Sequence, residues 1–281
     1  MLKQRVISAA VLLPVIILLI WLGDLWFSFF IAAAALAGTF EFYHMAQTPP
    51  LTAEINQANV INRSLICFGL LWSLAITLSP LFLYYKTINC FPIIMTFGTV
   101  ISLIWILCLT DREKAFYKWA WIVAGVLYIG WMLSYWLDLR FLEEGRNWVY
   151  LAMFTTFAND TGAFFIGRRW GKHQLAHIIS PGKTWEGALG GMICAIAAAI
   201  VIAIILNLIS FFSIRCWQAI LLGFLISLFA QFGDLVESLL KRNADVKDAG
   251  GLIPGHGGIL DRFDSLIFVG PIVYYCVLWV I

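Results

Sequence analysis

This sequence has little charge. Of its 281 residues, 12% are Asp, Glu, Lys or Arg, and 62% are apolar. A soluble domain carries about 25% charged and about 45–50% apolar residues. A water-soluble globule of this composition would expose large apolar patches, so the solvent for most of the chain is a lipid bilayer. The net charge of +2 offers no basic surface for an acidic partner, and no nucleic-acid partner is expected. Paired cysteines are also missing. Cys67, Cys90, Cys108, Cys194, Cys216 and Cys276 are scattered through apolar runs with no Cys-x-x-Cys spacing. Zinc sites and a disulfide framework are poor readings of that pattern, and small core residues are the better one. No internal repeat is visible.

Long uncharged runs take the place of charge. They are Val6–Gly23, Leu25–Phe40, Ser64–Tyr85, Thr87–Thr110, Trp119–Leu137, Asn147–Asn159, Gly187–Ile214, Cys216–Gly233 and Ser265–Ile281. The second continues past Glu41 to about Met45, and the sixth past Asp160 to Gly167. A membrane helix needs about 20 apolar residues. The sequence therefore predicts an all-α polytopic membrane protein of about nine transmembrane helices. The short loops that remain leave no room for a separate soluble domain. Membrane strands would alternate apolar and polar residues, whereas Ile193–Ile205 is apolar on every side. Lys3, Arg5 and Ala35-Leu36-Ala37 resemble parts of a cleaved signal. The intervening apolar region is about twice the usual length and Asp24 interrupts it, so a retained span is expected.

The few charges set the orientation. With the N-terminus in the cytoplasm, fourteen of the eighteen basic residues fall on inside segments, and only Lys86, Arg140, Arg146 and Arg215 fall outside. That matches the positive-inside rule and places the C-terminus outside. Trp21, Trp26, Trp119, Trp136, Trp148, Trp170, Trp185 and Trp217 lie near span ends, as interfacial anchors do.

Charge placement divides the chain into residues 1–148, with about five helices, and 149–281, with about four helices and two cytoplasmic loops. In the first half the charges lie in loops such as Thr48–Arg63 and Asp138–Arg146. In the second, Asp160, Glu186, Asp234, Glu237, Asp261 and Asp264 enter or flank the spans. Ionisable groups at membrane depth are costly, and are functional or paired. With the loops Arg168–Glu186 and Leu239–Arg262 they suggest a site facing the cytoplasm. Within the seventh run, Gly187, Gly191, Ala195, Ala199 and Ala203 recur every four residues. Such a stripe permits close helix contact, either within the chain or between the subunits of a homodimer.

Gln231–Asp264 holds most of the chemistry. Asp234, Ser238 and Lys241 stand at i, i+4 and i+7 and share one helix face. Asp261 and Asp264 share a face at the start of the last helix, where carboxylates suit the positive helix end. Between them lie Lys241-Arg242, Lys247-Asp248, Gly250-Gly251 and Pro254-Gly255-His256-Gly257-Gly258. Glycines let backbone amides approach a phosphate, and the cations neutralise it. Carboxylates would repel phosphate unless a divalent cation sat between them, and an all-oxygen set suits Mg²⁺. The stretch reads as a metal–polyphosphate site. Ser180-Pro181-Gly182-Lys183-Thr184-Trp185-Glu186-Gly187 is a second phosphate-loop candidate without Walker spacing. Asn159-Asp160, about 10 Å inside its helix, is either an interhelical hydrogen bond or part of the site. His256 either donates to a phosphate or braces its loop.

Here a family resemblance becomes specific. Ser238-Leu-Leu-Lys241-Arg242, Lys247-Asp248 and Pro254-Gly-His256-Gly257-Gly258-Ile-Leu-Asp261-Arg262-Phe-Asp264 resemble the signature of the phosphatidate cytidylyltransferases, or CDP-diacylglycerol synthases. Ser180–Gly187 resembles a second loop of that family, with Gly182 where a lysine is often found. The resemblance implies conversion of CTP and phosphatidate to CDP-diacylglycerol and pyrophosphate, for phospholipid synthesis at the inner (cytoplasmic) membrane. It implies Mg²⁺, with a monovalent ion such as K⁺ as a further cation. Metal ligation would fall to Asp234, Asp261 and Asp264. Catalysis would fall to Lys241, Asp261, Asp264 and His256. Substrate contacts would fall to Ser180, Lys183, Thr184, Ser238, Arg242, Lys247, Gly257, Gly258 and Arg262. A transporter would place its ionisable groups near the bilayer midplane; here they cluster at cytoplasmic ends. The Asp-Gly-x-x-Ala-Arg pattern of CDP-alcohol phosphotransferases is not found in the sequence. A CTP-dependent lipid kinase is the nearest rival, separable by its products.

Overall fold

A computed structural model describes residues 13–47, 61–108, 112–210, 212–246, 248–251 and 257–281. It is almost entirely helical. In chain order the helices are α1 (Leu13–Leu22), α2 (Asp24–Met45), α3 (Arg63–Thr77), α4 (Ser79–Lys86), α5 (Phe91–Leu107) and α6 (Arg112–Gly125). A π-helical turn, Val126–Trp131, joins α6 to α7 (Met132–Phe141), followed by α8 (Gly145–Trp170). A hairpin of β1 (Gln174–Ala176) and β2 (Ser180–Thr184) leads to α9 (Trp185–Ile209), α10 (Cys216–Asn243) and α11 (Leu260–Trp279). Among the described residues, six segments are long and apolar enough to cross a bilayer: α2, α3–α4, Lys114–Phe141, α9, α10 and α11. α1 and α5 are apolar but shorter. This is an all-α, multi-pass membrane protein. The polar loop between α2 and α3 lies mostly outside the described residues.

The chain forms two compact units. One comprises Met1–Leu137 with Lys241–Phe263, the other Asp138–Leu240 with Asp264–Ile281. They cut the chain differently from the charge-based halves 1–148 and 149–281, because the loop after α10 and the start of α11 pack with the N-terminal helices.

In the first unit, polar side chains satisfy one another between helices. Tyr43 of α2 donates to the Ile122 carbonyl at 2.8 Å. Thr39 and Ser73 hydroxyls are 2.9 Å apart. Thr77 donates to the Gly130 carbonyl at 3.0 Å, a carbonyl in the π-helical turn, where the regular backbone ladder is interrupted. Apolar contacts add to this around Trp72, Ile76 and Val126.

In the second unit, the small-residue stripe of α9 resolves to contact within the chain. Gly187, Gly191, Ala195, Ala199 and Ala203 are all buried, whereas Leu189, Ile193, Ile204 and Leu208 on the same helix are 54–80% exposed. Small residues inside and large apolar ones outside is the order expected in lipid, where close backbone packing replaces the hydrophobic effect. A Cβ on Gly191 would sit 2.9 Å from Asn159 oxygens of α8, and one on Gly223 of α10 would sit 2.7 Å from the Ile196 backbone. Gly191→Leu is therefore expected to force α8 and α9 apart and to cost about 1–3 kcal/mol. A fall in the melting temperature of the detergent-solubilised protein checks this; an unchanged value would contradict it.

Candidate active site

The second unit holds a cavity of about 540 Å³ between α8, the hairpin, α9 and α10. β2 delivers Lys183 and Thr184 to its wall, α8 delivers Asn159, Asp160 and Arg168, and α10 delivers Gln231 and Asp234. The hairpin is held from α9: Glu186 accepts the backbone N–H groups of Lys172 and His173 at 3.0 and 3.2 Å and lies 2.6 Å from the His173 ring. Thr184 caps α9 by accepting the Gly187 N–H at 3.2 Å. β2 is thereby tied directly to a helix start, and Lys183 reaches Asp234 Oδ2 at 2.7 Å. Asp234 also accepts from Ser238 at 3.5 Å, the i+4 neighbour expected on its face. Ser180 is half-buried on β2, and nothing lies within 4 Å of a Cβ placed on Gly182.

Deeper in the cavity wall, Ser227 of α10 donates to Asn159 at 2.7 Å and Asn159 donates to Asp160 at 3.0 Å. Gln231 adds bonds to the Ala188 carbonyl and to Ser227, each at 3.0 Å. Of the two readings of Asn159-Asp160, the interhelical hydrogen bond is the one observed. Asn159 bridges helices, and in doing so braces Asp160 at the cavity.

Asp234, Glu237 and Asp264 can each turn one oxygen to within 4.8 Å of the others. Glu237 is fully buried. Three carboxylates are an all-oxygen donor set, which fits a hard divalent cation such as Mg²⁺. The chemistry of the donors therefore agrees with the metal reading for Asp234 and Asp264, and Glu237 joins them. Its position three residues after Asp234, one helical turn away, was the available sequence signal.

Asp261 keeps different company. It belongs to the first unit, where its Oδ1 takes Lys241 Nζ at 2.7 Å. Its Oδ2 accepts the N–H groups of Ala249 at 3.0 Å and Gly258 at 2.8 Å. The side chains of the pair are only 15% and 10% exposed. Gly257 has φ +80°, and a Cβ there would meet Asp261 at 2.9 Å, so glycine fits both the backbone and the space. Arg242 and Arg262 are exposed, and Gly258 is buried. Lys247 and His256 lie outside the described residues.

Within the second unit, a cavity lined by lysine and arginine stands with a cluster of acids, and the first unit holds the buried Lys241–Asp261 pair. The sequence matches the Cytidylyltransferase family over residues 3–280, and the chain belongs to that family. It is a nucleotidyltransferase set in a membrane. A phosphatidate cytidylyltransferase of Bacillus subtilis (strain 168) is 33% identical over 274 residues, covering 97% of this chain and 96% of that protein. One from Staphylococcus saprophyticus is 40% identical over 165 residues, 59% of this chain and 61% of that protein. One from Staphylococcus aureus (strain COL) is 38% identical over the same lengths.

Proposed function

We propose that this enzyme transfers CMP from CTP to phosphatidate, giving CDP-diacylglycerol and pyrophosphate at the cytoplasmic face of the inner membrane. The observation that carries the proposal is the Lys183–Asp234 contact at 2.7 Å. A lysine of the hairpin stands against one member of the acid cluster, where it would meet phosphate. The names of the relatives supply the substrates. The excess of basic residues on the segments assigned to the N-terminal side supports the cytoplasmic face.

The reaction needs little acid–base help. A phosphate monoester with a second pKa of about 6 is largely dianionic at pH 7, so its oxygen is already a nucleophile. That oxygen forms a bond to the α-phosphorus of CTP as the bond to the bridging oxygen of the β-phosphate breaks, and pyrophosphate leaves with the electron pair. The difficulty is bringing two polyanions together, which positioned cations relieve. Lys183 and Arg168 would hold phosphate oxygens in the cavity, with Thr184 and Ser180 as hydroxyl donors. Lys241, oriented by Asp261, would hold the nucleotide's phosphates, and Arg242, Lys247, Arg262 and the glycine loop would screen them. Asp234, Glu237 and Asp264 would hold Mg²⁺. When bound, the cation would supply charge neutralisation for the triphosphate and the departing pyrophosphate.

Product analysis tests the proposal. Purified protein with labelled CTP, Mg²⁺ and a panel of lipid phosphates is expected to yield CDP-lipid and pyrophosphate with phosphatidate. Phosphorylated lipid and CDP would instead identify a CTP-dependent lipid kinase.

A further inference from the structure

Glu41 lies inside α2, in the N-terminal part of the chain, among apolar residues and only 3% exposed. A carboxylate in such a place is costly unless it is hydrogen-bonded. Its two oxygens accept from two successive backbone N–H groups at the start of α11, Ile259 at 3.0 Å and Leu260 at 2.8 Å. N–H groups in the first turn of a helix have no partner within the helix. They are ordinarily served by a Ser, Thr, Asp or Asn at the cap position. The residue preceding α11 is Ile259, and Gly258 stands before it; neither has a side chain that can cap. Glu41 does so from 218 residues away, with a charge that suits the positive helix end.

The next N–H group back along the chain, that of Gly258, is held by Asp261. Three consecutive backbone groups, 258 to 260, are thus fixed by two carboxylates, and they lead directly into Asp261. The glycines fit this hold. A Cβ on Gly250 or on Gly258 would collide with the Glu41 carboxylate. These glycines let the loop backbone close on Glu41, a demand separate from any close approach to phosphate.

We infer that Glu41 is a positioning residue for nucleotidyl transfer, acting by fixing the start of α11 so that Asp261 and its partner Lys241 are held in register. The inference rests on the assignment of Asp261 and Lys241 to the reaction. Glu41→Gln keeps the length and shape of the side chain but offers one good acceptor where two are used, and turns an N–H₂ group toward a donor. In purified full-length enzyme, kcat is expected to fall at least tenfold while KM for phosphatidate stays within twofold. Hydrogen–deuterium exchange at residues 259 and 260 should quicken at least tenfold, with α8 to α10 unchanged. Gly250→Ala leaves Glu41 in place but pushes the loop off it. It should reproduce both effects, and it carries the test if Glu41→Gln does not fold. Wild-type exchange at residues 259 and 260 in both variants overturns the hold. Faster exchange there with kcat within twofold of wild type overturns the role in the reaction. A wild-type enzyme that makes no CDP-lipid refutes the reaction assignment itself, and the exchange measurement still decides whether Glu41 holds the helix start.

Discussion

Asp264→Asn is expected to stop CDP-lipid formation, by on the order of 10²–10³-fold, and to make the metal-free protein more stable. The two effects have one cause. Asp234, Glu237 and Asp264 bring carboxylate oxygens within 4.8 Å of one another. At that distance two ionised groups repel by about 3 kcal/mol at an effective dielectric constant of 20. Removing one charge relieves two such pairs when no cation is present, so the melting temperature in chelator should rise. The sign reverses when Mg²⁺ is added. A ligand present at about 100 times its dissociation constant stabilises the folded state by about 2.7 kcal/mol. Wild type should gain that increment, and Asp264→Asn should lose most of it. Chelation should also stop turnover by the wild type. Undiminished activity in chelator, or an equal Mg²⁺-induced shift in both proteins, would refute the metal assignment. Glu237→Gln is the sharper control, because geometry alone puts Glu237 in the set.

The order of legibility follows the range of the interactions. The membrane helices could be read from uncharged runs, because lipid leaves little choice but to satisfy the backbone within each segment. Asp234 and Ser238 could be placed together because their contact is one turn long. The α9 stripe was legible as a close contact, but not its partners, since periodicity carries no address; α8 and α10 turned out to be the neighbours. Lys183 was recognised as a phosphate candidate from its loop, yet nothing local could tell that a hairpin would bring it to Asp234. Helix periodicity put Asp261 and Asp264 on one face, which is correct along the helix. It could not show that Asp264 joins Asp234 and Glu237 while Asp261 takes Lys241 and two amides. Glu41 was the hardest to see. In sequence it only interrupts an apolar run, and its partners lie 218 and 219 positions away.

Asp261→Asn separates what the Lys241 pair does for the fold from what it does for the reaction. Among its partners in the described residues the carboxylate serves Lys241 Nζ and the N–H groups of Ala249 and Gly258. An asparagine offers one acceptor oxygen, and its N–H₂ would face a donor. Lys241, at 15% side-chain exposure, would lose the carboxylate that faces it at 2.7 Å. Breaking a buried pair from one side costs about 3–5 kcal/mol, an upper bound here because the pair keeps some exposure. The variant should still insert in the membrane, with a lowered melting temperature and no measurable CTP turnover. Lys241→Met in the same chain removes the cation of the broken pair and keeps the apolar stem, so the double variant should recover most of the lost stability. It should recover no activity, because the cation proposed to hold the nucleotide is gone along with the carboxylate that orients it. Melting temperature and CDP-lipid formation, measured on wild type, both single variants and the double variant, complete the cycle. Near-normal turnover by Asp261→Asn, or activity returning together with stability in the double variant, would show that the pair is only part of the scaffold.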